Sequence, residues 1–168
     1  MIAPEYLPVC DETNRVIGRA SRAVVHAQGL RHRAVHVVLL NSKGEIFLQR
    51  RGPQKDTFPG VWDTSVGGHV LPGEEFDEAA ARELAEELGI EGQPTRIGDH
   101  PACEETGMEF VAVYELVTDQ PPRWDGIEVA DGQWMSPPAI AVGLADGSLS
   151  ATPAFCRTFE LWRRMRGR

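Results

Sequence analysis

The chain has 168 residues, 42% of them apolar and 25% charged, with a formal charge of −8. That length supports one buried core, and the balance excludes a disordered polyelectrolyte. There is no basic face for nonspecific nucleic-acid binding and no run of about 20 apolar residues for a membrane span.

The acidity is local. Between residues 74 and 87 seven acids stand against the single base Arg82, so this stretch carries −6 of the −8. Such a concentration marks a site rather than a solvating tail. The cysteines, Cys10, Cys103 and Cys156, are few, odd in number and far apart, with no CxxC spacing. A reducing, cytoplasmic setting is expected. The start of the chain, MIAPEYLPVCDETN, has early acids and no long apolar run, so it does not read as a signal peptide.

Taken in order, residues 5–18 read as a hairpin with its turn at Asp11–Asn14. Residues 21–30 fit either a short helix or an extended approach. His26, His32 and His36 follow within eleven residues, with no Cys or acid beside them. The expectation is that one or two line a pocket and the rest are structural. Residues 34–40, AVHVVLL, form an unbroken β-prone run that predicts a buried central strand. Asn41–Gly44 predicts a hairpin turn, and residues 45–49 the returning strand.

Arg50, Arg51 and Lys55 then flank the loop GPQKDTFPG. Arg51 and Lys55 are candidate contacts for an anionic substrate. Pro59–Gly60 reads as a turn with Trp62 packed beneath it, and residues 64–68 as a short strand whose paired glycines allow close backbone approach. From Glu75 to Leu88 the period is helical, with Phe76, Ala79, Ala80, Leu84 and Leu88 on one stripe and Gly89 as the stop.

Residues 96–102 and 109–116 read as strands, 119–129 as a loop and 133–135 as a short strand. Ser136-Pro137 and Thr152-Pro153 each give a cap-and-proline start, predicting helices to about Leu144 and about Met165. Arg163, Arg164, Arg166 and Arg168 read as a solvated basic helix end.

On the expected helix, Glu83, Glu86 and Glu87 stand at i, i+3 and i+4 and lie within about 6 Å of one another at Cβ. Three like charges so close call for a cation. With oxygen donors alone, Mg²⁺ or Mn²⁺ is the natural choice.

Gly68, five residues, Glu74, seven residues, Arg82-Glu83-Leu84, one residue, Glu86-Glu87, one residue, Gly89-Ile90 resembles the Nudix box at every fixed position. The resemblance implies an α/β fold, the Nudix αβα sandwich with a mixed central sheet. Here that sandwich would carry an N-terminal hairpin and a C-terminal helix within a single domain over 1–168, with its box at 68–90. It implies magnesium-dependent hydrolysis of a diphosphate joined to another group, often a nucleoside. Gly68, Glu83, Glu86 and Glu87 would hold the metal. Arg82 would orient a neighbouring carboxylate in the catalytic set, and Glu74 would steady the loop–helix junction. For the general base Glu86 comes first and Glu109 second, with Glu104 and Glu105 as exposed surface.

Residues 32–89 also resemble the type I isopentenyl diphosphate isomerases of the same superfamily, through LQRR, PGVW and the SVGGH turn. Those enzymes use a cysteine where this chain has Gly67, which leaves no side chain to shuttle a proton. The same resemblance sets His69 and His32 at metal-ligand positions and Glu109 at a catalytic one. His69 is also counted with Arg51 and Lys55 as a candidate substrate contact. The expected partner is a small-molecule diphosphate, with no membrane or nucleic acid, acting as monomer or homodimer. An isomerase-like activity and a non-catalytic diphosphate sensor are the alternatives.

Overall fold

The computed structural model of the chain describes residues 3–167; Arg168 of the basic cluster lies outside them. Strands β1 (Tyr6–Cys10) and β2 (Val16–Ser21) pair antiparallel as the expected hairpin, with the second strand reaching further than its apolar residues suggested. Residues 22–28 resolve to a short helix, α1 (Arg22–Gln28). Ser21 caps it, accepting from the Val24 amide, and Gly29 ends it at φ 61°. The central strand β3 (His32–Leu40) and its partner β4 (Ile46–Arg51) follow.

Trp62 follows the Pro59–Gly60 turn and is partly buried against the core on the side of the two C-terminal helices. It belongs to a two-residue strand, β5 (Trp62–Asp63), that pairs with β4. The next strand, β6 (Val66–His69), starts two residues later than the residue types suggested. The reason is that Ser65 is spent on bridging: its hydroxyl accepts from the Leu39 amide at 2.9 Å and donates to the Phe47 carbonyl.

The box helix is α2 (Phe76–Leu88). The Glu75 amide donates to Glu78 at its start, and Gly89 at φ 63° closes its end with a bond to the Ala85 carbonyl. After it come β7 (Thr95–His100), a 3₁₀ turn at Glu104–Thr106, β8 (Glu109–Val117), β9 (Val129–Met135), α3 (Pro137–Asp146) and α4 (Pro153–Met165). The ninth strand is longer than the Gln133–Met135 segment because β4 gives it a full-length edge to pair with.

Among the described residues the main sheet has seven strands. Strand β3 runs parallel to β8 and antiparallel to both β4 and β6, so the sheet is mixed. Two strands share one edge of β3. The β4 strand meets it only at Leu40, whereas β6 pairs along Ala34–Val37. The strands therefore diverge, and Ser65 sits at the fork.

Helix α2 covers one face, burying Ala79, Ala80, Leu84 and Leu88 against Val35, Val37, Leu39 and Val66. Each such leucine contributes roughly 1.5–3 kcal/mol. Helices α3 and α4 cover the other face, where Ile140, Phe155, Phe159 and Trp162 meet Ala34, Val38, Leu48, Val111 and Val113. This is a three-layer αβα architecture. No helix among the described residues is long and apolar enough to cross a membrane.

Candidate active site

Side chains alternate along a strand, and β6 uses both of its faces. Val66 and Gly68 share the α2 face with Val37 and Val35, while Gly67 and His69 share the opposite face with His36 and Ala34.

On the α2 face, the Glu83 carboxylate lies directly against Gly68. A Cβ there would stand 2.1 Å from Glu83 Cδ, so only glycine admits this approach. Arg82 organises the acids around it. Its Nε and Nη2 donate to the two oxygens of Glu74 at 2.7 and 3.0 Å. Its Nη1 donates to Glu83 at 2.8 Å and to Glu86 at 3.1 Å. Its Nη2 also holds the His69 carbonyl at 2.9 Å.

Glu74 in turn accepts from the Leu71 amide at 2.9 Å, fixing the loop that enters the helix. Glu87 accepts from Gln49 Nε2 at 2.9 Å. Burial, reinforced by the nearby Glu83 charge, pushes its carboxyl up to about 8. Burial also raises Glu83, against the opposing pull of Arg82. Carboxyls held this way take a proton or a cation, and oxygen donors of this kind suit a hard divalent ion. Glu86 is exposed and, with Glu87, Asp125, Glu128 and Val129, lines a cavity of about 190 Å³.

On the other face, His69 joins His26 from α1 and His32 from β3. The three rings are 5.2–5.3 Å apart by centroid, and one donor atom from each lies within 4.8 Å of the others. Glu109, opposite His32 in the parallel pairing, reaches His32 Nε2 at 3.4 Å and His69 Nε2 at 3.3 Å. His32 donates from Nδ1 to the Leu30 carbonyl at 2.8 Å, and its buried Nε2, although it faces Glu109, makes no hydrogen bond.

Burial opposes the charged form of His69, but the carboxylates of Glu109 and Glu5 outweigh it and raise the group to about 9. Burial likewise opposes ionisation of Glu109, and contact with His32 and His69 holds it well below the usual carboxylate range. Three imidazoles, one carboxylate and an orphaned nitrogen fit a first-row transition-metal ion. His36 takes no part. Its Nδ1 contacts the Thr158 hydroxyl at 2.8 Å under α4, and its ring faces Gly67.

Residues 30–155 match the NUDIX domain family model. The chain belongs to the Nudix family. It is 36% identical over 159 residues to an uncharacterised Nudix hydrolase of Yersinia pestis, covering 94% of this chain and 85% of that one. It is 33% identical to the uncharacterised Nudix hydrolase YfcD of Escherichia coli, covering 98% and 89%. Among solved structures, DR0079 from Deinococcus radiodurans superposes with a TM-score of 0.80 at 31% identity, covering 95% of this chain and 98% of that one. With these relatives, this Nudix chain is an enzyme of the pyrophosphohydrolase kind.

The remaining candidates fall in the loop between β4 and β5. Arg51 is engaged within the fold, donating to Asp63 at 3.0 Å and to the Thr57 carbonyl at 2.9 Å. Its guanidinium thus holds the β4–β5 loop in shape. Lys55 faces Glu128 at 3.6 Å, beside the acid-lined cavity. His69 and Glu109 lie on the opposite face of β6 from the Gly68–Glu83 approach, and the β4–β5 loop reaches that face through Asp56, 3.8 Å from His26.

Of the three early histidines, His26 joins His32 in the cluster. The structure also brings in residues that the sequence did not mark: Gln49 orients Glu87, and Asp125 and Glu128 wall the cavity. None stands at a motif spacing from the residue it meets, so the chain's own order carried no signal for them.

Proposed function

We propose that this Nudix enzyme hydrolyses a phosphoanhydride in a nucleoside di- or triphosphate or a related nucleoside diphosphate derivative, with Mg²⁺ as its cation. The observation that carries this reading is the convergence of Glu83, Glu86 and Glu87 beside the close approach at Gly68, organised by Arg82. Glu83, Glu87, Glu86 and the Gly68 carbonyl would hold the ion, and Mn²⁺ suits the same donors. When bound, the ion neutralises phosphate oxygens and makes a water acidic.

This chain's residues do the rest. Arg82 keeps Glu83 and Glu86 aimed at one point despite their mutual repulsion. Gln49 fixes the rotamer of Glu87. Glu86, the exposed member of the three at the cavity, doubles as the general base by position, with Arg82 on one of its oxygens. Lys55 turns from Glu128 to a phosphate oxygen. Glu109 and His69 are assigned instead to a second cation, held with His26 and His32 on the other face of β6. Gly67 offers no side chain for a proton shuttle, so isomerisation is not the reading the site supports. The free state of Cys10, Cys103 and Cys156 suits a reducing, cytoplasmic setting.

The test is a panel of nucleoside di- and triphosphates and nucleoside diphosphate sugars, assayed with Mg²⁺ or Mn²⁺. Turnover of at least one member is expected, lost in Glu86→Gln and Glu87→Gln. Full activity in both variants, or no turnover of any member, would sink the proposal.

A further inference from the structure

The three histidines are held from behind as well as gathered in front. His32 has its Nδ1 on the Leu30 carbonyl. His69 has its Nδ1 3.8 Å from Glu5, in the arm that leads into β1. His26 has its Nδ1 3.8 Å from Asp56, in the loop between β4 and β5. His32 Nδ1 is thus hydrogen-bonded, the Nδ1 atoms of His69 and His26 face carboxylates at ion-pair distance on two other segments, and the Nε2 edges of His32 and His69 both turn to Glu109. A metal-bound imidazole characteristically gives its other nitrogen to a carboxylate or carbonyl, which fixes the tautomer and the ring direction.

One residue joins the two carboxylates. Arg22 stands one turn before His26 on the same side of α1. Its guanidinium lies 3.5 Å from Glu5 and 3.9 Å from Asp56. Its amide donates to the Glu5 carbonyl at 2.8 Å, so the arm is anchored through backbone too. Asp56 sits between Lys55, whose amide bonds the Gly52 carbonyl, and Thr57, whose carbonyl is held by Arg51.

We infer that Glu5 and Asp56, clasped by Arg22, are positioning residues for the histidine site. They hold His69 and His26 with Nε2 toward one transition-metal ion, and they tie that ion to the loop that bears Lys55. The inference rests on the histidine cluster being a metal site, as assigned above. It adds that the N-terminal arm and the β4–β5 loop are working parts of that site. Occupancy there then steadies the segment that meets the diphosphate on the other face of the sheet.

Cobalt(II) is the probe, titrated into the whole protein under saturating Mg²⁺, so that the all-oxygen site is filled and visible absorption reports the histidines. Glu5→Gln and Asp56→Asn alter exposed carboxylates, and an unchanged melting temperature without metal checks that each variant is folded. Each is expected to weaken Co²⁺ binding about 10- to 100-fold and alter its band shape, with Asp56→Glu restoring much of both. Hydrogen exchange of residues 53–58 should slow on adding Co²⁺ to the unaltered protein and not to Asp56→Asn. Affinities within twofold of the unaltered protein in both variants would overturn the inference. So would a loss as complete as that of His32→Ala, since Glu5 or Asp56 would then be a ligand. If His32→Ala itself leaves the Co²⁺ spectrum unchanged, the metal assignment fails instead, and the two failures are distinguishable.

Discussion

Gly67 and Gly68 are neighbours in sequence and face different chemistry. Gly68 meets a carboxylate at a distance no side chain would allow, whereas a Cβ on Gly67 would rest 3.5 Å from the His36 ring in ordinary contact. The first face gathers oxygens from a single helix, within one turn. The second gathers nitrogens from α1, β3 and β6, which are scattered along the chain. A helix can encode a hard-cation site by local spacing alone. A nitrogen-rich site built across strands needs the fold to exist first.

The largest effect should come from the helix-borne face. Glu87→Gln keeps the Gln49 contact region filled but removes a charged donor from the cation. Its kcat/KM should fall about a thousandfold, the scale of several kcal/mol of lost charge stabilisation. Co²⁺ affinity at the histidine face should stay within about twofold, because the donor set there is untouched. Parallel loss of both in steady-state kinetics and titration would mean that the two faces are one site.

The glycines give the next contrast. Gly68→Ala must push the Glu83 carboxylate aside, and a displacement of about 1 Å at a reacting centre can cost about a hundredfold in rate. The moving atoms end a flexible side chain, so the melting temperature should change little. Gly67→Ala should leave turnover within about twofold. Equal behaviour of the two variants in an activity assay would contradict the alternation of β6.

Tyr114 tests how the helix-borne face is anchored. Its hydroxyl donates to Asp77 at 2.6 Å, pinning the first turn of α2 to β8. Tyr114→Phe should cost about 1.5–3 kcal/mol in denaturant unfolding, the scale of a hydrogen bond to a charged group. The spectrum of Co²⁺ on the histidine face should not move.

The smallest effect separates the faces by pH in metal-free protein. Glu87 holds its proton in the folded state up to about 8 and releases it near 4.5 when unfolded. The unfolded state binds fewer protons between those values, so stability falls as pH rises through that window. His69 is raised from 6.5 to about 9. Its contribution is fully present below 6.5 and is lost as pH rises to about 9. The melting-temperature advantage of the unaltered protein over Glu87→Gln, measured in chelator, should therefore shrink as pH rises from about 5 to 8; His100, which burial lowers to about 4, contributes in the opposite sense below 6.5 and cancels in that difference. The corresponding difference between the unaltered protein and Glu109→Gln should instead shrink between about 6.5 and 9, the His69 window.

Much of the fold was legible because its signals are local. The AVHVVLL run, the Asn41–Gly44 turn, the α2 stripe ended by Gly89 and the cap-and-proline starts of α3 and α4 each depend on residues within a turn or two. The elements that ran differently from their sequence signals depend on partners. Trp62 became a strand because β4 was there to pair with it, and β9 grew along the same edge.

By itself the sequence determined the Nudix box. Glu83, Glu86 and Glu87 share a helix, so their convergence follows from 3.6 residues per turn, and Arg82, Glu74 and Gly68 stand close enough to complete it. Only the tertiary structure decided that His69 turns away from those glutamates. It also decided that His26 and His32 meet His69 while His36 does not, and that Glu109 closes their cluster. The physical reason is the two-residue period of a strand, which sends neighbours to opposite faces. Which face holds which partner is fixed by the register of β3 against β6 and β8, and register is a property of pairing between distant segments.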